Sequence, residues 1–151
     1  MPFMSMEDAI RRFGEQFTWS PTVEHAEALR PHTHYVVVGM GGSHLGPWIL
    51  KRYGGVLNMT VHRDYGLPEM DPALLAGSLI ILSSYSGGTE EVLDAGRVAL
   101  ERGLSIAVIT MGGKLLEFAR EHSLPHVVIP DMHLQPRVAT GLSMLGIAQL
   151  M

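Results

Sequence analysis

Ser84-Tyr85-Ser86-Gly87-Gly88-Thr89 follows the apolar run at 79–83 and precedes a segment of helical periodicity that opens at Glu90. Gly39-Met40-Gly41-Gly42-Ser43 has the same setting, after the β-branched run at 35–38 and before a helical segment from Leu45. Both read as strand, tight turn, helix start. Hydroxyls and glycines at such a turn leave backbone N–H groups uncovered and aim them, with the helix dipole, at one point. The ligand that suits this arrangement is an anion, and a phosphate ester is the commonest candidate. Two such loops on one small α/β domain imply a single phosphorylated ligand held from two sides.

Outward from these loops, the chain keeps a regular alternation. Residues 35–40 form a continuous apolar strand, as buried parallel strands do. A helix over 45–53 is stopped by Gly54-Gly55, and residues 57–62 form a second strand. Pro68 and Pro72 mark a loop before the third strand at 79–83. The clearest helix covers 90–102 and ends at Gly103. A fourth strand at 106–110, a helix at 114–122 and a fifth strand at 126–129 follow, and Pro136 opens a last helix that runs to Met151. Ahead of the alternation, residues 5–17 read as an amphipathic helix capped by Ser5, with Ile10, Phe13 and Phe17 on one face. Ser20-Pro21 starts a second helix to residue 29, since proline is tolerated at a first helical position.

The expected fold is therefore α/β: a doubly wound five-stranded parallel sheet of flavodoxin-like order 2-1-3-4-5, with helices on both faces. Residues 1–30 form a helical appendage, 31–135 the α/β core and 136–151 the final helix of a single domain. In this strand order the switch point lies between the first and third strands, and ligands bind beyond their carboxyl ends. The two loops follow those two strands, so sequence position and fold geometry agree.

Composition narrows the ligand further. The chain has 151 residues, 46% of them hydrophobic, enough for the core of one domain. Only 17% are charged and the formal net charge is −4, which argues against nucleic acid as a partner. There is no cysteine, so disulfides and thiolate metal sites are excluded and a reducing cytoplasm is compatible. No apolar run approaches the ~20 residues of a membrane span. The eight histidines have no cysteine or carboxylate at ligand spacing, so they read as scattered surface residues rather than a metal site.

The first loop invites a dinucleotide reading, but the third glycine of G-x-G-x-x-G would fall at position 44, which is His44. Asp64, at the end of the second strand, is the residue that would grip a ribose, so a Rossmann-like nucleotide domain stays as an alternative. A tight turn alone would explain one or two glycines, not three with a serine. In the second loop an ordinary helix cap needs Thr89 only; Ser84 and Ser86 are the surplus that favours binding. Gly112-Gly113-Lys114 lacks the earlier glycine of a Walker loop, so ATP is not implied.

Together, G-M-G-G-S-x-L-G at 39–46, S-Y-S-G-G-T at 84–89 and Pro136-Arg137-Val138-Ala139 resemble the sugar isomerase (SIS) domain, and most of all the N-terminal half of bifunctional phosphoglucose/phosphomannose isomerases. The resemblance covers residues 33 to 145. It implies phosphate binding by Ser84, Ser86, Gly87 and Thr89, and a sugar site lined by Gly41, Gly42 and Ser43. It also implies that Arg137 stabilises negative charge on an enediolate. No cofactor or metal is expected. Gly88 departs from the family, where asparagine is frequent.

The same resemblance sets an expectation about completeness. Aldose–ketose isomerisation needs a base at the sugar carbons and an acid to open the ring. In the family these come from a second SIS domain or a partner subunit, and this sequence covers one such domain. Glu90 and Glu91 read as partners of a helix dipole, not as bases. The expected partners are a hexose 6-phosphate and either a second copy or a second SIS domain, against which the final helix would turn Leu142, Leu145 and Leu150. The alternative in the same fold is a non-enzymatic SIS module that senses a sugar phosphate.

Overall fold

The computed structural model describes residues 2–55 and 58–151. Five strands, β1 (Tyr35–Gly39), β2 (Met59–His62), β3 (Leu79–Ser84), β4 (Ser105–Thr110) and β5 (His126–Val128), form one all-parallel sheet in the order β2-β1-β3-β4-β5. This is the expected sheet. Of the strand expected at 57–62, Leu57 lies outside the described residues.

The strands are apolar on both faces because helices cover both faces. On one face Val36, Val38, Ile80, Leu82 and Val108 meet Val92, Ala95 and Ala99 of α4 (Glu90–Glu101) and Leu115 and Ala119 of α5 (Gly113–Glu121). Leu75 of α3 (Pro72–Ala76), a short helix capped by Asp71, joins them. On the other face Val37, Ile81, Ala107, Ile109 and Val127 meet Leu142, Ile147 and Leu150 of α6 (Thr140–Leu150), and Leu50 of α2 (Leu45–Tyr53) packs beside them. The alternation of faces follows the two-residue period of a strand. In register, Gly39 pairs with Ser83 and Ser84 with Thr110, so β1, β3 and β4 end level with one another. Their loops emerge together at one edge.

The N-terminal appendage differs from expectation. α1 covers only Met6–Arg11, with Ser5 capping the Asp8 amide, and a 3-10 helix continues over Phe13–Thr18. That change of pitch rotates the inward face. Ala9 and Gln16 are buried, while Ile10, Phe13 and Phe17 stand exposed. The helix expected at 20–29 does not form; only the single 3-10 turn Ala26–Ala28 is helical. The physical reason is the open edge of β5. Glu24 and His126 exchange backbone hydrogen bonds at 2.8 and 3.0 Å in an antiparallel bridge, and an extended segment satisfies that edge where a helix would not. The last helix is also divided, into a 3-10 turn at Pro136–Val138 and α6. Leu142 and Leu150 need no outside cover, because the sheet of this chain buries them.

Two buried polar residues fasten these pieces. Gln16 donates from Nε2 to the Val138 carbonyl at 2.7 Å and accepts the Leu142 amide at 3.2 Å. Ala139, at the N-cap of α6, has no side-chain oxygen, so Gln16 caps that helix from another part of the chain. His126 is fully buried rather than on the surface; its Nδ1 bonds the Leu124 carbonyl at 2.8 Å and its Nε2 lies 3.2 Å from Glu24. His34 is partly buried too. Its Nδ1 donates to Ser78, whose own hydroxyl donates to Leu74, and Thr60 bonds its Nε2.

Gln16→Ala should lower the unfolding free energy by about 2–4 kcal/mol, because it leaves a carbonyl and an amide unpartnered in the interior; chemical denaturation against the parent chain measures it. His34 supplies a pH-dependent term. Burial, and secondarily the charge of Lys51, hold its imidazole below the ordinary value of 6.5. The unfolded chain therefore takes up the proton first as pH falls, and this contribution is full above the unfolded value and declines below it. Urea midpoints taken above and below that pH should fall on acidification by less in His34→Gln than in the parent.

Candidate functional site

The turn after β1 is a short 3-10 helix, Gly41–His44, entered through Gly41 at φ +52°. It leads straight into α2. Gly42 is fixed by packing: a Cβ there would lie 2.6 Å from the Pro136 carbonyl carbon and 2.7 Å from Arg137 Cα. The absence of a side chain at 42 thus brings the Pro136–Val138 turn against the first loop.

The turn after β3 is held from three directions. Ser43 Oγ accepts the Tyr85 amide at 3.1 Å, joining the two loops directly. Ser84 Oγ bonds Thr89 Oγ1 at 2.8 Å and accepts the Gly87 amide at 3.1 Å. Gly87, at φ +73°, lies so close to the loop after β4 that a Cβ would overlap the Gly112 carbonyl oxygen. Gly113, at φ +66°, returns the contact against the Ser86 carbonyl, and the Gly87 carbonyl accepts the Leu115 amide at 2.9 Å.

Met40, Gly41, Gly42, Ser43, Tyr85, Ser86, Thr89 and Pro136 line an open cleft of about 230 Å³. Both loops border it. Of the residues singled out in the sequence, Gly41, Gly42, Ser43, Ser86 and Thr89 meet here. Ser84 and Gly87 lie beneath the lining, buried, with the Ser84 hydroxyl engaged in the turn itself. Arg137 comes to the rim through its backbone, and its exposed guanidinium donates twice to Gln135 Oε1, at 3.1 and 2.8 Å. Glu90 and Glu91 do not line the cleft.

The electrostatics of the cleft come from α4. Thr89 occupies its N-cap, yet its hydroxyl turns to Ser84 and caps nothing. The first-turn amides of a twelve-residue helix therefore have no side-chain acceptor, and the positive end of its dipole is open at Thr89. Ser86 Oγ accepts the Gly88 amide at 3.3 Å. No carboxylate is among the lining residues. Among the described residues no group of histidines and carboxylates is arranged to hold a metal ion, and no helix is long and apolar enough to cross a membrane.

Met40, Tyr85 and Pro136 line the cleft without having been singled out as site residues in the sequence, and Tyr85 is the one among them with a polar group. Its ring is buried in the core and its hydroxyl is buried without a hydrogen-bond partner. Burial, then the negative charge of Asp131, push that phenol upward. The signal was its position between Ser84 and Ser86, but an aromatic at the end of a buried strand reads equally well as core.

This arrangement of sheet, loops and open helix end defines a class. Two solved structures share the fold: the sugar isomerase domain of an RpiR transcription factor from Sphaerobacter thermophilus (TM-score 0.56, 18% identity, covering 95% of this chain and 86% of that one) and a Listeria monocytogenes protein described as a sugar-phosphate isomerase (TM-score 0.61, 15% identity, 97% and 88%). The fold is that of the SIS domain. By sequence the chain is a relative of the bifunctional phosphoglucose/phosphomannose isomerases. It is 41% identical over 120 residues to the one from Caldicellulosiruptor bescii, covering 76% of this chain and 34% of the relative. To the Aquifex aeolicus enzyme it is 32% identical over 147 residues, covering 94% and 43%. The chain thus spans between a third and a half of the length of these relatives. No protein-family model matches it.

The two glycines of the second loop separate packing from ligand contact. Gly87→Ala should destabilise the chain by about 3 kcal/mol or more, through left-handed strain and collision with Gly112. Gly88→Ala meets nothing nearer than Ser86 Oγ at 3.9 Å and should cost less than about 1 kcal/mol. Thermal unfolding of the two variants side by side tests the ranking.

Proposed function

We propose that the cleft binds a hexose 6-phosphate, with the phosphate at the open N-terminus of α4 and the sugar along Gly41, Gly42 and Ser43. The observation that carries this reading is the uncapped start of α4 at a cleft that both glycine-rich loops border. Hydroxyls of Ser86 and Thr89 supplement the amides, as charge-assisted donors to phosphate oxygens. Ser84 and Gly87 act one layer below, by holding Thr89 and the turn in place. Arg137 stabilises an enediolate if its guanidinium leaves Gln135 on binding, a swing open to a side chain at the surface.

The domain serves aldose–ketose isomerisation of glucose 6-phosphate and mannose 6-phosphate, the activity named in its sequence relatives. It works without metal or cofactor, in a reducing cytoplasm, as one of a pair of SIS units. The exposed Ile10, Phe13 and Phe17, beside α6, are the apolar surface that a second unit would cover, from the same polypeptide or from a second copy. The second reading is a sensor that binds without turnover, which the regulator fold neighbour favours.

Ser86→Ala with Thr89→Ala should weaken fructose 6-phosphate binding at least tenfold, since each lost charge-assisted bond is worth roughly 1.5–3 kcal/mol. Calorimetry showing equal affinity in parent and variant would refute the phosphate site. In a coupled assay the 151-residue chain by itself should bind hexose 6-phosphate but isomerise it at near background, since no carboxylate lines the cleft and each missing acid–base group typically costs about 10²–10⁴-fold. Rapid turnover would show that a group already in this chain is the base.

A further inference from the structure

A second concave region lies beside the cleft, toward the β2 edge of the sheet, and it reaches the carboxyl end of β2 at Arg63. Two adjoining hollows of about 410 and 290 Å³ run along the groove between α2 and the edge strand β2, sharing Trp48 and Val61 as walls. Lys51 and Arg52 border the first; His44, Leu45 and Arg63 border the second. Trp48, Lys51 and Arg52 stand at i, i+3 and i+4, on one face of α2. The indole is 50% exposed, a large aromatic left half in water at the edge of the sheet.

The charge of this edge is the opposite of the rest of the chain. Residues 31–63 contain no aspartate or glutamate, and Lys51, Arg52 and Arg63 are their formal charges. The remainder holds eight cations against all fifteen acids. The ion pairs of the described residues are formed by Arg11, Arg12, Arg97 and three histidines, and none involves these three cations. The one neighbouring acid in sequence, Asp64, accepts the Tyr65 amide at 2.8 Å.

We propose that the α2–β2 groove is a second ligand site, distinct from the cleft between the loops, and that it takes a mononucleotide. The base stacks on Trp48, and the phosphate is held by Lys51 and Arg52. The combined hollow has the size of a small-molecule site, and its one aromatic wall with cations at both ends matches a ligand with a flat ring and a concentrated negative charge. A simple phosphate would leave the indole unused, and an uncharged ring would leave the cations unused. His44 links the two sites: it ends the 3-10 turn that carries Gly41–Ser43, and its Nδ1 hydrogen-bonds the Gly41 carbonyl. The two sites are thus neighbours in the fold, but their lining residues differ, and each binds its ligand without the other.

The test is a fluorescence titration with AMP. The chain has two tryptophans, so Trp19→Phe leaves Trp48 as the sole reporter. Saturable quenching by AMP, at least about tenfold weaker binding of adenosine, and a similar loss in Lys51→Gln/Arg52→Gln are the expected results. Binding should weaken as salt rises. Fructose 6-phosphate should not displace AMP, and Ser86→Ala/Thr89→Ala should leave AMP affinity unchanged, so this site and the sugar-phosphate site fail separately. Absence of saturable quenching at millimolar AMP, unchanged affinity in the Lys51/Arg52 variant, or displacement by fructose 6-phosphate would each overturn the proposal. So would sedimentation showing a self-associated chain in which Trp48 is already shielded.

Discussion

Two backbone contacts at the carboxyl edge of the sheet determine everything built there: Gly42 against Pro136–Arg137, and Gly87 against Gly112. In each, two loops from distant parts of the chain approach more closely than any Cβ would permit. The first closes the rim of the cleft with the segment that begins α6. The second sets the height of the β3 loop, and so the place where α4 begins. Ser43 then ties the two loops to each other through the Tyr85 amide, a bond that only a level pairing of β1 and β3 allows. Because these are packing constraints on backbone, the cleft is shaped before any ligand arrives. A cleft preorganised in this way has little ordering left to do on binding a ligand.

The appendage and the last helix depend on each other as well. Gln16 caps α6 from across the chain, and Glu24 closes the free edge of β5 through the buried His126. Residues that look like a separate N-terminal addition are thus part of the same cooperative unit. They fill one face of the sheet with Ala9 and Trp19, and they leave Ile10, Phe13 and Phe17 outward. Among the described residues the edge strand at the opposite side, β2, pairs with β1 and has no bridge on its outer side. It carries the basic groove instead, so the two sheet edges differ in both hydrogen bonding and charge.

Much of the fold was legible in the residues. Continuous aliphatic runs separated by helical periodicity at short spacing require a parallel sheet with covered faces, because nothing else buries strands that are apolar on both sides. The positions of α2, α4 and α5 followed from stop signals at Gly54 and Gly103 and from the apolar spacing between them. The two loops could be identified as neighbours because strand order fixes which carboxyl ends adjoin. The N-terminal helices were less legible. Ser20-Pro21 has helix-start chemistry, but local chemistry does not register a distant strand edge in need of partners.

Within the candidate site the division has the same cause. The sequence by itself determined which segments would meet at the site: hydroxyl- and glycine-rich turns at the ends of two neighbouring strands. Tertiary structure alone decided the part each residue takes. Ser84 and Ser86 are equivalent in sequence, yet one hydroxyl is spent on Thr89 and the other borders the cleft. Gly87 and Gly88 are equally bare, yet one is pressed against Gly112 and the other stands in open space. Side chains one or two residues apart point to opposite sides of a turn, and which side is interior depends on the loop after β4, more than twenty residues away. That long-range packing, rather than local composition, separates the residues that hold the loop from those that a ligand can reach.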